Sequence, residues 1–328
     1  MARVYHRDQP GAPAGYSNAA YSVAQFENFR EVIKACLVVG YDTTPAAGWE
    51  LIAEGTNHIV LRNGTHSGYV CLTWRGNGIL QVYVADTFDG VDASGVILGA
   101  GVKTGTAANN STAHVIGLTY FAYHVNTSSW YIVADEKTFI FSWVTNASAG
   151  SMNNIVPVNY PYTIYVGEDT SGNFIFVGGE RTTSYSYGSP VGKFGSNGGL
   201  TSLRNPSTGL LVDTGSLSFK IAGVSTAVGS SVPSDNDTSI SLFGRLTLGR
   251  ASWYVPDYFC GQFRGIAVSP ELFVLRYGDS ASIALSGLGM NVREAARIFD
   301  LGDGYNYFLR SGSWVNSMFL VTDSPRYW

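Results

Sequence analysis

Apolar residues in this chain come in short bursts, rich in β-branched and aromatic side chains, and each burst is closed by Gly, Asn or Ser. Ile59-Val60-Leu61 ends at Asn63-Gly64, residues 69–74 follow and end at Gly76-Asn77-Gly78, and residues 79–84 complete what reads as a three-stranded meander. Short runs bounded by turn formers predict strands, and Asn-Gly between two of them predicts a tight hairpin. The same pattern marks further strands at 115–124, 130–134, 138–144, 163–166 and 174–177, the last two joined by residues 168–173. Beyond residue 210 it returns at 216–221, 239–248, 259–268, 272–276, 282–285, 305–309 and 317–321, while 291–299 fits a short helix or a strand. Many short strands separated by polar turns predict a mainly β fold, an antiparallel sandwich or barrel, and the absence of a fixed repeat argues against a propeller or solenoid.

One segment breaks this pattern. Phe26, Phe29, Ile33 and Leu37 recur at helical spacing, Val32 and Cys36 widen the stripe, and Ser22 with Gln25 has capping-box spacing. Gly40 supplies the stop. The segment before it, residues 1–21, holds Pro10-Gly11-Ala12-Pro13 and has no periodicity, which reads as an extended arm. Residues 22–180 then form the helix and an N-terminal β domain, 181–210 a Gly/Ser/Asn-rich linker or large loop, and 211–328 a C-terminal β domain.

Surface chemistry narrows the function. Only 13 % of the 328 residues are charged, about half of the roughly 25 % of an ordinary domain. A chain of this mass exposes on the order of 13,000 Å², so its charges are spread at roughly one per 300 Å². With a formal net charge of −4 and five dispersed lysines, no cationic cluster is present to displace counterions from phosphates, so no nucleic-acid partner is expected. Apolar stretches fall far short of the roughly 20 residues that span a bilayer, and residues 1–6 lack the apolar core of a secretory signal. Cys36, Cys71 and Cys260 are odd in number and share no metal-ligand spacing, which reads as small buried side chains in a reducing compartment.

Catalytic patterns are sparse. No Gly-x-Ser-x-Gly elbow, dinucleotide loop or Walker sequence occurs, and His6, His58, His66, His114 and His124 lack metal-binding spacing. No cofactor, metal site or catalytic residue is therefore expected. The sharpest enzymatic alternative is glycan cleavage by two carboxyl groups, with Asp86 and Asp89, Asp135 and Glu136, or Glu168 and Asp169 as pairs. Carboxylates at strand ends usually cap turns, and neighbours within a strand face opposite ways. Seven tryptophans and 20 tyrosines suit a core and protein interfaces, where Trp and Tyr concentrate. The interface candidates are Tyr5, Pro10, Pro13 and Tyr16 in the arm, with Trp253, Tyr327 and Trp328.

Several segments resemble a family of tailed-bacteriophage virion proteins. They are the arm from Tyr5 to Gly15, the helix end Ala35-Cys36-Leu37-Val38-Val39-Gly40-Tyr41, and Pro45-Ala46-Ala47-Gly48-Trp49. Residues 164–169 with 174–179, 260–265 and 319–323 extend the likeness along the chain. The resemblance implies a non-enzymatic structural subunit of the virion, in the tail or baseplate, made in the host cytoplasm and joined to its own copies and to other virion proteins. It also leaves open a capsid decoration protein, or a tail tip that binds a host-surface glycan. Low charge is consistent with assembly, since covering an unpaired charge at an interface is costly.

Overall fold

The computed structural model describes residues 1–13, 23–76, 79–101, 114–117, 129–144, 162–179, 200–202, 204, 207–209, 248–255, 258–268, 298–299, 301–311 and 318–328. The fold is mainly β, as the turn-bounded apolar runs predict. In chain order its elements begin with β1 (Arg3–His6), α1 (Val23–Lys34), β2 (Glu50–Gly55), β3 (His58–Arg62), β4 (Tyr69–Trp74) and β5 (Ile79–Ala85). They continue with β6 (Gly90–Val91), β7 (Ile97–Leu98), β8 (His114–Gly117), β9 (Ser129–Ala134), β10 (Thr138–Val144), β11 (Tyr162–Glu168), β12 (Phe174–Gly179) and β13 (Leu200–Ser202). The last are β14 (Gly249–Val255), β15 (Tyr258–Val268), β16 (Ile298–Phe299), β17 (Tyr307–Ser311) and β18 (Met318–Thr322).

These strands form three antiparallel sheets and a small hairpin. A central sheet has the order β1-β9-β10-β11-β12-β13, a helix-side sheet β2-β3-β4-β5-β8, and a C-terminal sheet β14-β15-β18-β17-β16, while β6 and β7 pair alone. The central sheet is covered on both faces. Ile132, Ala134, Phe139, Phe141, Ile164, Val166, Phe174 and Phe176 alternate onto the face that shares a core with the helix-side sheet and α1. Tyr131, Val133, Ile140, Tyr165, Ile175 and Val177 alternate onto the other face, against Phe263, Ile266, Phe308, Phe319 and Val321 of the C-terminal sheet. Period-2 side-chain direction sends every second residue each way, so a strand buried on both faces must be apolar throughout. That is why residues 130–134, 139–141 and 174–177 read as unbroken apolar runs.

The predicted helical stripe is the buried face of α1, with Phe26, Phe29, Val32, Ile33, Cys36 and Leu37 all inaccessible. Phe29 meets Phe141 of the central sheet at 5.5 Å between ring centroids. The helix does not stop at Lys34 but widens into a π-turn over Ala35–Val39, closed by the Gly40 amide on the Ala35 carbonyl at 2.8 Å. Gly40 then turns at φ +85°, where a Cβ would lie 2.7 Å from the Thr44 carbonyl oxygen, so the expected stop is glycine for steric as well as conformational reasons. Residues 47–49 donate to the freed carbonyls of Cys36 and Leu37 and lead into β2.

Three local expectations change. Residues 3–6 of the arm are a strand, with Val4 opposite Val133 and Tyr5 opposite Ile132. Leu200–Ser202, inside the stretch read as linker, pairs with β12. Asn63-Gly64 is not the centre of a two-residue hairpin: β3 and β4 are joined by residues 63–68, in which the Asn63 carbonyl accepts the His66 amide at 2.9 Å while the Asn63 side chain and the Gly64 amide also reach carbonyls of the β9–β10 turn. The strands expected at 216–221, 272–276 and 282–285, most of 239–248, and the helix or strand at 291–299 before Ile298 lie outside the described residues. Among the described residues, no helix is long and apolar enough to cross a membrane.

Candidate functional site

The interface candidates separate into three groups. Tyr5 and Tyr327 lie inside their own chain, 0 % and 1 % exposed, and Tyr5 donates its hydroxyl to the Pro45 carbonyl at 2.9 Å. Neither offers a face to a neighbour, and burial pushes the Tyr5 hydroxyl up to about 12. Trp328 is half-buried, donating Nε1 to the Thr322 carbonyl at 2.6 Å and lying under the Arg264 guanidinium at 5.5 Å. Its ring occupies the space a side chain at Gly265 would fill, 2.4 Å from the position of a Cβ there. Pro10 is exposed and Pro13, like Trp328, half-buried, so among the candidates whose side chains are described these three keep accessible surface. Trp253 lies on β14 opposite Gly261, and Tyr16 lies outside the described residues.

The arm also closes its own strand edge. Gln9 accepts the His6 amide at 3.0 Å and donates to the Val4 carbonyl at 3.1 Å, and its own amide takes the His6 carbonyl at 3.1 Å, so three of the outward backbone groups that an added strand would need from β1 are occupied. Tyr41 holds the Gln9 carboxamide in place through its hydroxyl. An edge capped by a side-chain amide is protected against strand addition.

Each carboxylate pair considered for catalysis has at least one member engaged by the fold. Asp86 pairs with Arg204, which also donates to the Phe174 carbonyl at 3.0 Å. Asp135 accepts the amides of Lys137 and Thr138 at 3.0 Å each, capping the β9–β10 turn, and its second oxygen takes Arg264 at 2.5 Å. Glu136, its neighbour in that turn and not in a strand as the alternation argument assumed, is exposed and lies 4.0 Å from the N-terminal amine. Asp169 accepts the amides of Ser171 and Asn173 at 2.8 and 3.0 Å, capping the β11–β12 loop. Burial pushes the carboxyls of both Asp135 and Asp169 above the usual range, with Arg264 offsetting the effect at Asp135.

Glu168 is the centre of a second polar junction, on the helix-side face opposite Phe174. It accepts Thr65 Oγ1, lies 3.4 Å from Asn63 Nδ2, and is 3.5 Å from Lys137 Nζ. Asn63 is 0 % exposed; its Nδ2 also reaches Thr65, Ser67 and the Lys137 carbonyl, and its Oδ1 accepts the Ser67 amide at 2.9 Å. Sequence reading treated Asn63 as a turn former and passed over Lys137 and Arg264. The signals available were an Asn-Gly-Thr-x-Ser cluster between two apolar strands and a lone arginine inside the apolar run 259–268. A charge in a two-sided strand needs a buried partner.

Cys36 and Cys71 are free and buried, and desolvation raises both thiols, that of Cys71 to about 11. Among the described residues no three His, Cys, Asp or Glu side chains converge as a metal site. No family model matches this chain, and no curated protein matches it.

Proposed function

We propose that the chain is a non-enzymatic structural subunit of a tailed-phage virion, placed in the tail or baseplate and held by contacts with its own copies and with other virion proteins. The observation that carries this reading is how its carboxylates are used: Asp86, Asp135, Glu168 and Asp169 cap turns or pair with cations of the same chain. A glycan-cleaving site needs one carboxyl free to give a proton and another free to attack or to activate water. The sparse surface charge supports covered surfaces, and the segment resemblance supports the particle. Pro10, Pro13 and Trp328 are the contact points this reading favours among the described side chains; removal of the whole arm would also extract Tyr5 from the core.

Mass spectrometry of purified particles, followed by localisation of the chain in a map of the particle, tests the reading. The expected result is the chain in the tail at a copy number set by ring symmetry. Its absence from particles would overturn the proposal, and its presence on the capsid lattice would replace the tail assignment with decoration.

A further inference from the structure

We infer that copies of this chain join head to tail, a rigid corner built by the arm and the segment after α1 on one copy seating against the Trp328 corner of the next. The inference deepens the assembly reading: it rests on the claim that copies meet, and not on the particle that holds them.

The first corner is two tight turns locked side by side. Pro10 and Gly11 are the central residues of one, with the Ala12 amide on the Gln9 carbonyl at 3.1 Å and Gly11 at φ +72°, the pattern of a type II turn. The other runs from Tyr41 to Thr44 and is closed by reciprocal backbone hydrogen bonds of 3.0 and 2.8 Å. A Cβ at Gly11 would lie 2.8 Å from Cβ of Asp42, so the two tips touch. Tyr5 and Arg3 of the arm hold the carbonyls of Pro45 and Ala46 at 2.9 and 3.0 Å. Exposed on this corner are Pro10, Pro45 and Val39, the last 71 % accessible, with the exposed Asp42 among them. Among the described residues no cation pairs with Asp42.

The second corner has the opposite charge. Trp328 is half-buried beside Gly265 of β15, and Pro325 and Arg326 just before it are exposed. Arg250 donates to the Arg326 carbonyl at 2.6 Å and lies 3.4 Å from that of Trp328, which brings a second guanidinium to the same turn. Neither arginine pairs with a carboxylate among the described residues.

Each corner thus supplies what the other lacks: exposed proline and valine against an indole, and a carboxylate without a counter-ion against two guanidiniums without one. Complementary rim charges select the partner and its orientation more than they add affinity. Turns already fixed by their own hydrogen bonds lose little freedom on docking. Contact between unlike surfaces is heterologous and closes into a ring when the rotation between copies allows.

Sedimentation velocity of the purified full-length protein at rising concentration reads the contact. The native protein is expected to self-associate, and less so as salt is raised. Asp42→Arg and Arg326→Glu should each weaken association by about tenfold. Mixed together they should form a one-to-one complex, because one variant keeps the second corner and the other keeps the first. Both changes in one chain restore opposite charges, and self-association should return. Circular dichroism checks folding, and Asp42→Asn, a residue that accepts the φ of +46° at this position, should weaken association without straining the turn. A native protein that stays monomeric, single variants that associate as the native protein does, or a mixture that forms no complex overturns the inference. Self-association that passes these tests in a chain absent from particles would leave this contact standing and overturn the virion reading.

Discussion

Toward the helix-side sheet, the central sheet meets rings and aliphatic groups from Phe26, Phe29, Val70 and Leu72, and the polar residues Asn63, Glu168 and Lys137 gather at one end of the strands. Toward the C-terminal sheet an ion pair is part of the joint itself: Arg264 reaches Asp135, and its backbone amide reaches the Tyr165 hydroxyl, beside the Tyr165–Phe263 and Tyr131–Phe308 ring contacts. The first joint is stabilised mainly by apolar area, about 25 cal/mol per Å² buried, with directional hydrogen bonds from Trp49, Asn63, Gly64 and Thr65 at the ends of the strands. The second adds a directional element that fixes which strand lies over which, at the cost of desolvating two charges. The same sheet thus has a face built for strength and a face built for register.

Substitutions at the two joints sharpen this contrast. Phe141→Ala, which empties the space against Phe29, is expected to cost about 4 kcal/mol in denaturant unfolding, with no single polar change restoring it. Arg264→Met should cost about 3 kcal/mol because it strands the Asp135 charge, and adding Asp135→Asn should recover much of that loss while keeping the turn cap. If the double variant is as unstable as the single, the second joint depends on packing alone and the contrast disappears.

A smaller effect depends on pH. The Asp169 carboxyl is raised by burial, so the fold holds its proton more tightly than the unfolded chain does. Its contribution therefore favours the fold in acid and is lost as pH rises through the folded value. Asp169→Asn retains an oxygen for the Ser171 and Asn173 amides and carries no charge. Its Tm should exceed the native value at neutral pH, and the difference should shrink as pH falls below the usual carboxylate range. A constant difference across that range would show that the charge is not its cause.

What the sequence revealed follows from burial. Strands β9 to β12 and β15 were legible because two-sided burial makes them apolar over most of their length, and α1 because its apolar stripe is wide. β1 was not, since Arg3 to His6 carry no period and hold their place through β9 on one side and Gln9 on the other. The π-turn was hidden because Ala35–Val39 would suit an ordinary helix, and only the return of residues 47–49 to its carbonyls accounts for its partners. Of the polar junctions, Asp169 and Asp135 as turn caps were legible from strand-end position. The partners Arg264 and Lys137 were not, because their spacing of 129 residues from Asp135 and of 31 from Glu168 is set by the pairing of sheets rather than by local chemistry.

The account rests on one shared sheet whose two faces are closed by the rest of the chain. Native-state amide hydrogen exchange across the unfolding transition addresses it most directly. Amides of β15, β17 and β18 are expected to lose protection in the same cooperative step as those of β9, β10 and β11. Exchange of the C-terminal sheet in an earlier, separate step, with β9 to β11 still protected, would contradict the shared core.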